Sequence, residues 1–233
     1  ELRVAAFIAN AESMKKIYRD NGDIHWATAR AIAGANATKE HRTRAKPANF
    51  GLLYGMGATS FQTYAFDTYG VEYTPEEAMA VRATYFATYH ELVYWHKKQR
   101  QLVKKDKGVW SPLGRFRHLP NIDSYDRDLQ GEAERQAINT PVQSMASDMT
   151  LLAMLYVNKM YREEYPTKAF LCGQVHDSIL SEVAEDVADE VAARVKDIME
   201  VVVHEKLQTL FGVYFDIPIV ADVSVKNGWG EGE

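Results

Sequence analysis

The sequence predicts an α+β fold, helical through its first half and mixed in its second, and three observations predict it. Apolar residues recur at helical spacing over long stretches, and some of these open on capping signals such as Asp23-Ile24 and Thr74-Pro75-Glu76-Glu77. Two short apolar runs, 109–119 and 169–183, fold about turn residues and read as hairpins. Strands are few for so many helices. The small antiparallel sheet is therefore expected to be incomplete at the N-terminus, unless another chain or segment adds to it.

In chain order, residues 1–20 are apolar enough for a helix that stops at Asn21-Gly22. Asp23 can cap a second helix running to about Gly34, and a third follows Thr38. Thr74 as N-cap, Pro75 at the first helical position and Glu77 closing a capping box start a long helix expected to reach about Lys105. A further long helix is expected over about 126–161, after the first hairpin. The second hairpin carries Gln174 to Ser178 at its tip. An acidic helix then runs from about Ala184 to Gly212, a natural C′ residue, and 217–225 is expected to close the chain as a strand. Repeats, low-complexity tracts and loose linkers are absent from the sequence.

A chain of 233 residues, 46% hydrophobic and 25% charged, can bury one good core or two small ones. No apolar run approaches the ~20 residues that span a bilayer, so no membrane partner is expected. The single cysteine, Cys172, excludes an intramolecular disulfide and suits a reducing compartment. The expected location is the cytoplasm or an organelle. A first residue of Glu1 rather than Met reads as processing, or as a piece of something longer.

The net charge of −5 argues against nucleic acid only until its distribution is seen. Between Trp95 and His118 eight Lys and Arg face one acid, Asp106, whereas between Glu182 and Glu205 eight acids face Arg194 and Lys196. A basic segment can meet phosphates while an acidic helix faces solvent.

Chemistry concentrates between Arg42 and Gly55, where Arg42, Lys46, Phe50 and Tyr54 recur at every fourth position. On a helix they share a slowly drifting face about 18 Å long, with cations at the end where free N–H groups favour an anion and aromatics beyond. That face suits a nucleotide; equally, Phe50, Leu53 and Tyr54 could fill a core beneath a solvated basic end. Pro47 removes the bond to the Thr43 carbonyl, so a distortion is expected between Thr43 and Pro47: either the regular helix begins at Pro47 or it kinks there.

Three further constellations stand out. His176-Asp177 sits at the hairpin tip, where a carboxylate held on a tight turn can ligate a divalent metal or simply bond its own backbone. Arg135, Asn139 and Gln143 would share a helix face, either a polar solvated one or one suited to phosphates and the degenerate acceptor pattern of the minor groove. Arg115 and Arg117 in the first hairpin read as a phosphate clamp or as solvated charge.

Residue by residue, Arg42-x-x-x-Lys46-x-x-x-Phe50-x-x-x-Tyr54-Gly55 resembles the fingers-helix signature of family A DNA polymerases, the bacterial DNA polymerase I type. Other segments match that family in order: Glu1-Leu2-Arg3 with the tail of its first polymerase motif, Asp23-Ile24-His25 in its fingers, and Gly114-Arg115-Phe116-Arg117-His118-Leu119-Pro120 with its Gly-Arg-Arg-x-x-Leu-Pro segment. Arg135-Gln136-Ala137-Ile138-Asn139-Thr140-Pro141-Val142-Gln143 resembles its primer-template contact, and Val175-His176-Asp177 its third motif, where Ser178 stands in place of the usual Glu. The resemblance covers essentially the whole chain.

It implies palm over 1–12, fingers over 13–125 and palm over 126–233. It also implies a DNA-directed DNA polymerase adding dNTPs to a primer 3′-OH, with Asp177 as a metal ligand for two Mg²⁺ ions. The second aspartate is expected upstream of this chain, which alone would then not be competent. Arg42, Lys46, His25, Phe50, Tyr54 and Glu1 are implied to hold the nucleotide, with Lys46 also protonating the leaving pyrophosphate and Phe50 disfavouring dideoxynucleotides. Arg135, Asn139, Gln143, Arg115, Arg117, His176 and Gly55 are implied to meet DNA. The implied partners are primer-template DNA, dNTPs and the N-terminal part of the polymerase, in cis or as a separate chain. Two rivals stand beside this reading: a DNA-binding relic without chemistry, suggested by the absent aspartate and Ser178, and a helical scaffold with a fortuitous basic face.

Overall fold

The computed structural model describes residues 1–228 and divides the chain into two compact units, the first Glu1–Ser144 and the second from Met145 onwards. The expected closing palm range, 126–233, therefore extends over 229–233, which lie outside the described residues. Among the described residues the fold is mostly helical, with two separate antiparallel two-stranded sheets.

The first unit opens with α1 (Leu2–Ile8) and α2 (Glu12–Arg19) rather than one helix over 1–20. Asn10 breaks them at φ +48°, a conformation asparagine tolerates, and Lys15 Nζ donates to its Oδ1 at 2.7 Å. α3 (Ile24–Ala33) begins where Asp23 accepts from the backbone N–H groups of His25 and Trp26, and stops at Gly34. α4 (Lys39–Pro47) follows, capped by Thr38.

The distortion expected between Thr43 and Pro47 falls just after that turn. α4 is continuous through Pro47, which takes φ −60° and ψ −30°, and the chain then widens into a π-helical turn, Ala48–Leu52. The ring fits helical φ but leaves the ladder one donor short, so the bonds shift register downstream. Ala48 N–H bonds the Ala45 carbonyl instead of that of Arg44, whose oxygen accepts from the Tyr73 hydroxyl at 2.5 Å.

α5 (Ala58–Tyr69) ends on Gly70 in the left-handed region. The helix expected over 75–105 is two, α6 (Pro75–Thr88) and α7 (His90–Asp106), broken at Tyr89, φ −113° and ψ 58°. Tyr89 is buried, and the break sends its hydroxyl to Thr28, 2.8 Å away. The Thr74 capping box forms as expected, with Glu77 N–H donating to the threonine and Glu77 Oε2 accepting from Thr74 N–H. β1 (Gly108–Trp110) pairs with β2 (Phe116–His118), Val109 opposite Arg117. Val103, Val109, Leu119, Ile122, Ala133 and Ala137 form a core beneath this hairpin.

α8 (Arg127–Glu164) matches the expected long helix and starts where Asp126 accepts from Asp128 and Leu129 N–H. In the second unit β3 (Ala169–Val175) and β4 (Ser178–Val183) form the expected hairpin, with a bulge between Leu171 and Gly173. Tyr161 at the end of α8 donates to Ser181, and Tyr165 to Glu190. The acidic helix is interrupted: a 3-10 turn, Glu185–Val187, leads into α9 (Ala188–Asp197), a π turn, Ile198–Val202, and α10 (Val203–Phe211), which ends on Gly212 at φ +67°.

Residues 217–225 form no strand, contrary to expectation. Ala221 N–H donates to Glu200 Oε1 at 2.8 Å and a His204 ring nitrogen lies 2.8 Å from the Ile217 carbonyl oxygen, so helix side chains take groups a neighbouring strand would need. No helix among the described residues is long and apolar enough to cross a membrane.

Candidate nucleotide-binding face

α3 and α4 bring the expected basic and aromatic groups onto one surface of the first unit. Arg42 donates through Nε and Nη2 to Asp23 Oδ2 at 3.0 and 2.6 Å, while Asp23 Oδ1 caps α3. Burial alone would raise the Asp23 carboxyl, but the Arg42 guanidinium and two backbone N–H groups overcome it and hold the carboxyl below its usual range. Arg42 is thereby aimed at the start of α3, with Nη1 unengaged among the described residues. The His25 and Phe50 rings lie 5.8 Å apart and tilted, and Lys46, half-buried, adds a second cation to the same surface. Burial lowers the His25 pKa, Asp23 opposes this, and Arg42 and Lys46 lower it further, so the neutral ring is favoured.

Glu1 and Tyr54, remote in sequence, meet: the Tyr54 hydroxyl donates to Glu1 Oε2 at 2.6 Å. Burial first, then the Glu1 carboxylate, pushes the phenol's pKa well up, so Tyr54 is a fixed neutral donor. Gly55 follows at φ +80°, where a Cβ would come within 3.2 Å of Ile138 Cδ1 and 3.6 Å of Arg100 Nη2. Beside Gly55 lies a cavity of about 180 Å³ lined by Arg82, Phe86, Val93, His96 and Arg100. His96 donates from Nε2 to the Leu53 carbonyl at 2.7 Å, and burial drives its pKa down to about 4. Arg82 sits over the Phe86 ring, and Arg100 pairs with Glu134 at 3.2 Å.

Along α8, Arg135 and Gln143 are exposed and Asn139 is half-buried, with no partner for its Oδ1 among the described residues. Arg117 reaches from β2 to Thr140 Oγ1 at 3.1 Å, bringing the hairpin beside Asn139; Arg115 is exposed at the hairpin's turn. In the second unit His176 and Asp177 are the two residues that join β3 to β4, with His176 at φ +54°. Both are exposed, and Asp177 makes no hydrogen bond or ion pair among the described residues. One carboxylate on a two-residue turn fits part of the ligand set of Mg²⁺, which takes one or two carboxylates and completes its shell with water and phosphate.

Sequence reasoning named the cations, His25, Glu1 and Tyr54, and read Asp23 as a cap and as part of the Asp-Ile-His match, without its pairing to Arg42. It missed Asn49, His96, Arg82 and Arg100. Asn49 lies inside the Arg42 to Gly55 run, and a polar residue among buried neighbours was its available signal; the others come from α6 and α7, and no local spacing links them to Gly55.

The family model described as DNA polymerase family A matches residues 1–231. A thermostable DNA polymerase I from Thermus filiformis is 34% identical over 235 residues, covering 99% of this chain and 26% of that protein. A DNA polymerase of Bacillus phage SP01 is 30% identical over 99% of this chain and 25% of its own, and DNA polymerase I of Pseudomonas aeruginosa 32% over 99% and 24%. The solved POL domain of Pol1 from M. smegmatis, in complex with DNA primer-template and dNTP, is similar with a TM-score of 0.78 and 26% identity, covering 94% of this chain and 36% of that one. The chain thus spans about a quarter of the length of the curated relatives it matches.

Proposed function

Because the chain belongs to DNA polymerase family A, we propose that it forms the fingers and most of the palm of a DNA-directed DNA polymerase, extending a primer 3′-OH with dNTPs by two-metal phosphoryl transfer. The observation that carries this reading is the Tyr54–Glu1 hydrogen bond, which joins the tail of the first-motif segment to the helix bearing Arg42, Lys46 and Phe50. On this reading the fingers are 13–125 and the palm 1–12 and 126–233.

Arg42 and Lys46 neutralise the triphosphate at the start of the face, and Lys46 hands a proton to the leaving pyrophosphate. His25 donates a hydrogen bond to the same phosphates. Phe50 packs under the incoming sugar and base, where the lack of a hydroxyl on the ring disfavours dideoxynucleotides. Tyr54 holds the Glu1 carboxylate against the sugar, excluding a 2′-hydroxyl. Gly55, without a side chain beside the cavity lined by Arg82 and Arg100, leaves room for the template base. Arg135, Asn139 and Gln143 on α8, Arg115 and Arg117 on the hairpin and His176 at the β3–β4 turn grip the primer-template.

Asp177 would hold Mg²⁺, and the remaining carboxylate comes from the rest of the polymerase, in cis or as a separate chain. Two Mg²⁺ ions, when bound, would supply charge neutralisation to the phosphoryl transfer. Primer extension with Mg²⁺ and four dNTPs tests the reading, using this chain combined with the upstream part of the polymerase, as wild type and as Asp177→Ala. Extension by the wild type, lost in the variant while DNA binding persists, is the expected result. DNA binding without extension in either protein overturns it in favour of a relic that keeps the grip alone, and no DNA binding at low salt in favour of a scaffold.

A further inference from the structure

Gly55 opens onto a cavity whose walls take no part in the bond chemistry proposed above. About 180 Å³ in volume, it is walled by Arg82 and Phe86 from α6 and by Val93, His96 and Arg100 from α7. An apolar cavity of about 150 Å³ suffices for benzene, so a planar ring fits here. Arg100 Nη2 lies 3.6 Å from where a Cβ of Gly55 would stand, so a side chain at that position would narrow the mouth.

The lining joins one aromatic ring to two permanent cations and contains no carboxylate. The Arg82 guanidinium carbon lies 5.1 Å from the centre of the Phe86 ring, and its Nε donates to the Met56 carbonyl at 3.4 Å. Its two Nη groups make no hydrogen bond or ion pair among the described residues. The Phe86 and His96 rings meet edge to face, 5.7 Å between centroids. Glu134, the acid paired with Arg100, is shared with Lys104 at 2.9 Å, so the group keeps a surplus of positive charge. The chemistry narrows the occupant. An apolar side chain would leave the guanidiniums desolvated without an acceptor, and a bare phosphate would leave Phe86 and Val93 unused. An unpaired nucleotide uses both, its base against the ring and guanidinium planes and its phosphate on a cation.

The surface continues the same chemistry along α7. Val93, Lys97 and Arg100 are spaced to share one helix face, and Lys97, exposed, makes no ion pair among the described residues. Lys97 stands about 6 Å along the axis from Val93, and Tyr94 beside it is 73% exposed. We propose that the cavity is a subsite for the unpaired template strand: the first base beyond the one being copied lies against Phe86 and Arg82, its phosphate meets Arg100, and Lys97 takes the next phosphate. That the strand is a template rests on the function proposed above; an unpaired nucleotide as the occupant rests on the lining alone. Stacking uses the face that every base has, so the subsite reads no sequence.

The test is fluorescence anisotropy on the complete polymerase with two primer-template duplexes. One carries four unpaired thymidines beyond the templating position, the other four abasic residues on the same backbone. The wild type should bind the thymidine overhang about 5- to 100-fold more tightly. Phe86→Leu, which keeps an apolar side chain and loses the ring, should remove most of that preference without changing the binding of the abasic duplex. Arg82→Gln, at an exposed position, should remove part of it and keeps the test open should Phe86→Leu fail to fold. Lys97→Gln should weaken both duplexes alike and lower the slope of log affinity against log salt by about 0.7, one single-strand phosphate contact.

The same variants of the full chain, titrated with a labelled oligonucleotide of eight thymidines and no primer, separate the subsite from the reaction. Oligonucleotide binding that depends on Phe86 and Arg82, in a polymerase that extends no primer, supports the subsite and defeats the polymerase reading. Primer extension with thymidine and abasic overhangs bound alike, or with the preference intact in both Phe86→Leu and Arg82→Gln, overturns the subsite and spares that reading. Free dTTP binding that falls in Phe86→Leu while oligonucleotide binding holds overturns it in favour of a site for single nucleotides.

Discussion

Acidification offers a direct measure of how the end of the π turn is held. His96 is 4% exposed, its Nε2–H satisfies the Leu53 carbonyl, and Arg100 and Arg82 stand near the ring. Burial is the main cause that drives its pKa from 6.5 to about 4; the Leu53 carbonyl partly opposes this and the two arginines add to it. The unfolded chain therefore binds a proton near pH 6.5 that the folded chain refuses, and stability falls as pH drops through that window. At about 1.4 kcal/mol per pH unit, His96 removes about 2 kcal/mol between pH 7 and 5, and about 3 kcal/mol by pH 4.

Urea unfolding of the wild type and of His96→Gln at pH 7, 6 and 5 isolates this contribution, because the other titrating groups are common to both proteins. Glutamine can still donate to Leu53 but does not titrate. The variant should be the less stable at pH 7, and the gap should close by about 2 kcal/mol at pH 5. A gap that stays constant within about 0.5 kcal/mol over that range would refute the reasoning, since a buried neutral ring cannot leave the pH dependence unchanged.

Three further substitutions test the surrounding geometry. Gly55→Ala must adopt φ +80° with its Cβ 3.2 Å from Ile138 Cδ1, and should cost about 2 kcal/mol in urea unfolding; no loss would mean that the turn relaxes freely. Tyr54→Phe removes the donor to Glu1, an exposed residue, so stability should move by less than about 1 kcal/mol. In the complete polymerase the ratio of dNTP to rNTP incorporation should nevertheless fall, and an unchanged ratio would detach Glu1–Tyr54 from sugar selection. Thr74→Ala removes one arm of the capping box, the hydroxyl that accepts from Glu77 N–H, and should cost about 1 kcal/mol, most of which Thr74→Ser restores; equal losses in both would point to the methyl group instead.

The parts legible in the sequence are those with local causes. Asp23 and Thr74 start helices because their side chains bond N–H groups two or three residues on, and the β3–β4 hairpin follows from apolar runs about a two-residue turn. The breaks at Asn10 and Tyr89 are different. Nothing in Thr88-Tyr89-His90 opposes a helix, and the chain turns there because a distant hydroxyl partner, Thr28, rewards it. The π turn after Pro47 was half legible: proline announces a missing bond, but where the ladder recovers depends on Tyr73 taking the Arg44 carbonyl. The strand expected at 217–225 has alternating apolar residues, yet a strand also needs an edge to pair with, which no single segment encodes. At the candidate site, the every-fourth spacing gave Arg42, Lys46, Phe50 and Tyr54, whereas Asn49 and His96 act through contacts 24 and 43 residues away in sequence.

The hairpin tip has an evolutionary corollary. Among the described residues Asp177 leans on no neighbouring side chain; its direction is set by the pairing of Val175 with Ser178 and by the left-handed backbone of His176. Point changes along the outer faces of β3 and β4 should therefore leave the carboxylate where it is, and the two strands can drift widely in composition. An insertion or deletion of one residue between the bulge at Leu171–Gly173 and the turn would reverse which face every later side chain occupies, and the carboxylate with them. Such a hairpin is permissive to spelling and intolerant of length, and diversification by mutagenesis should succeed there by exchange of residues and fail by change of their number.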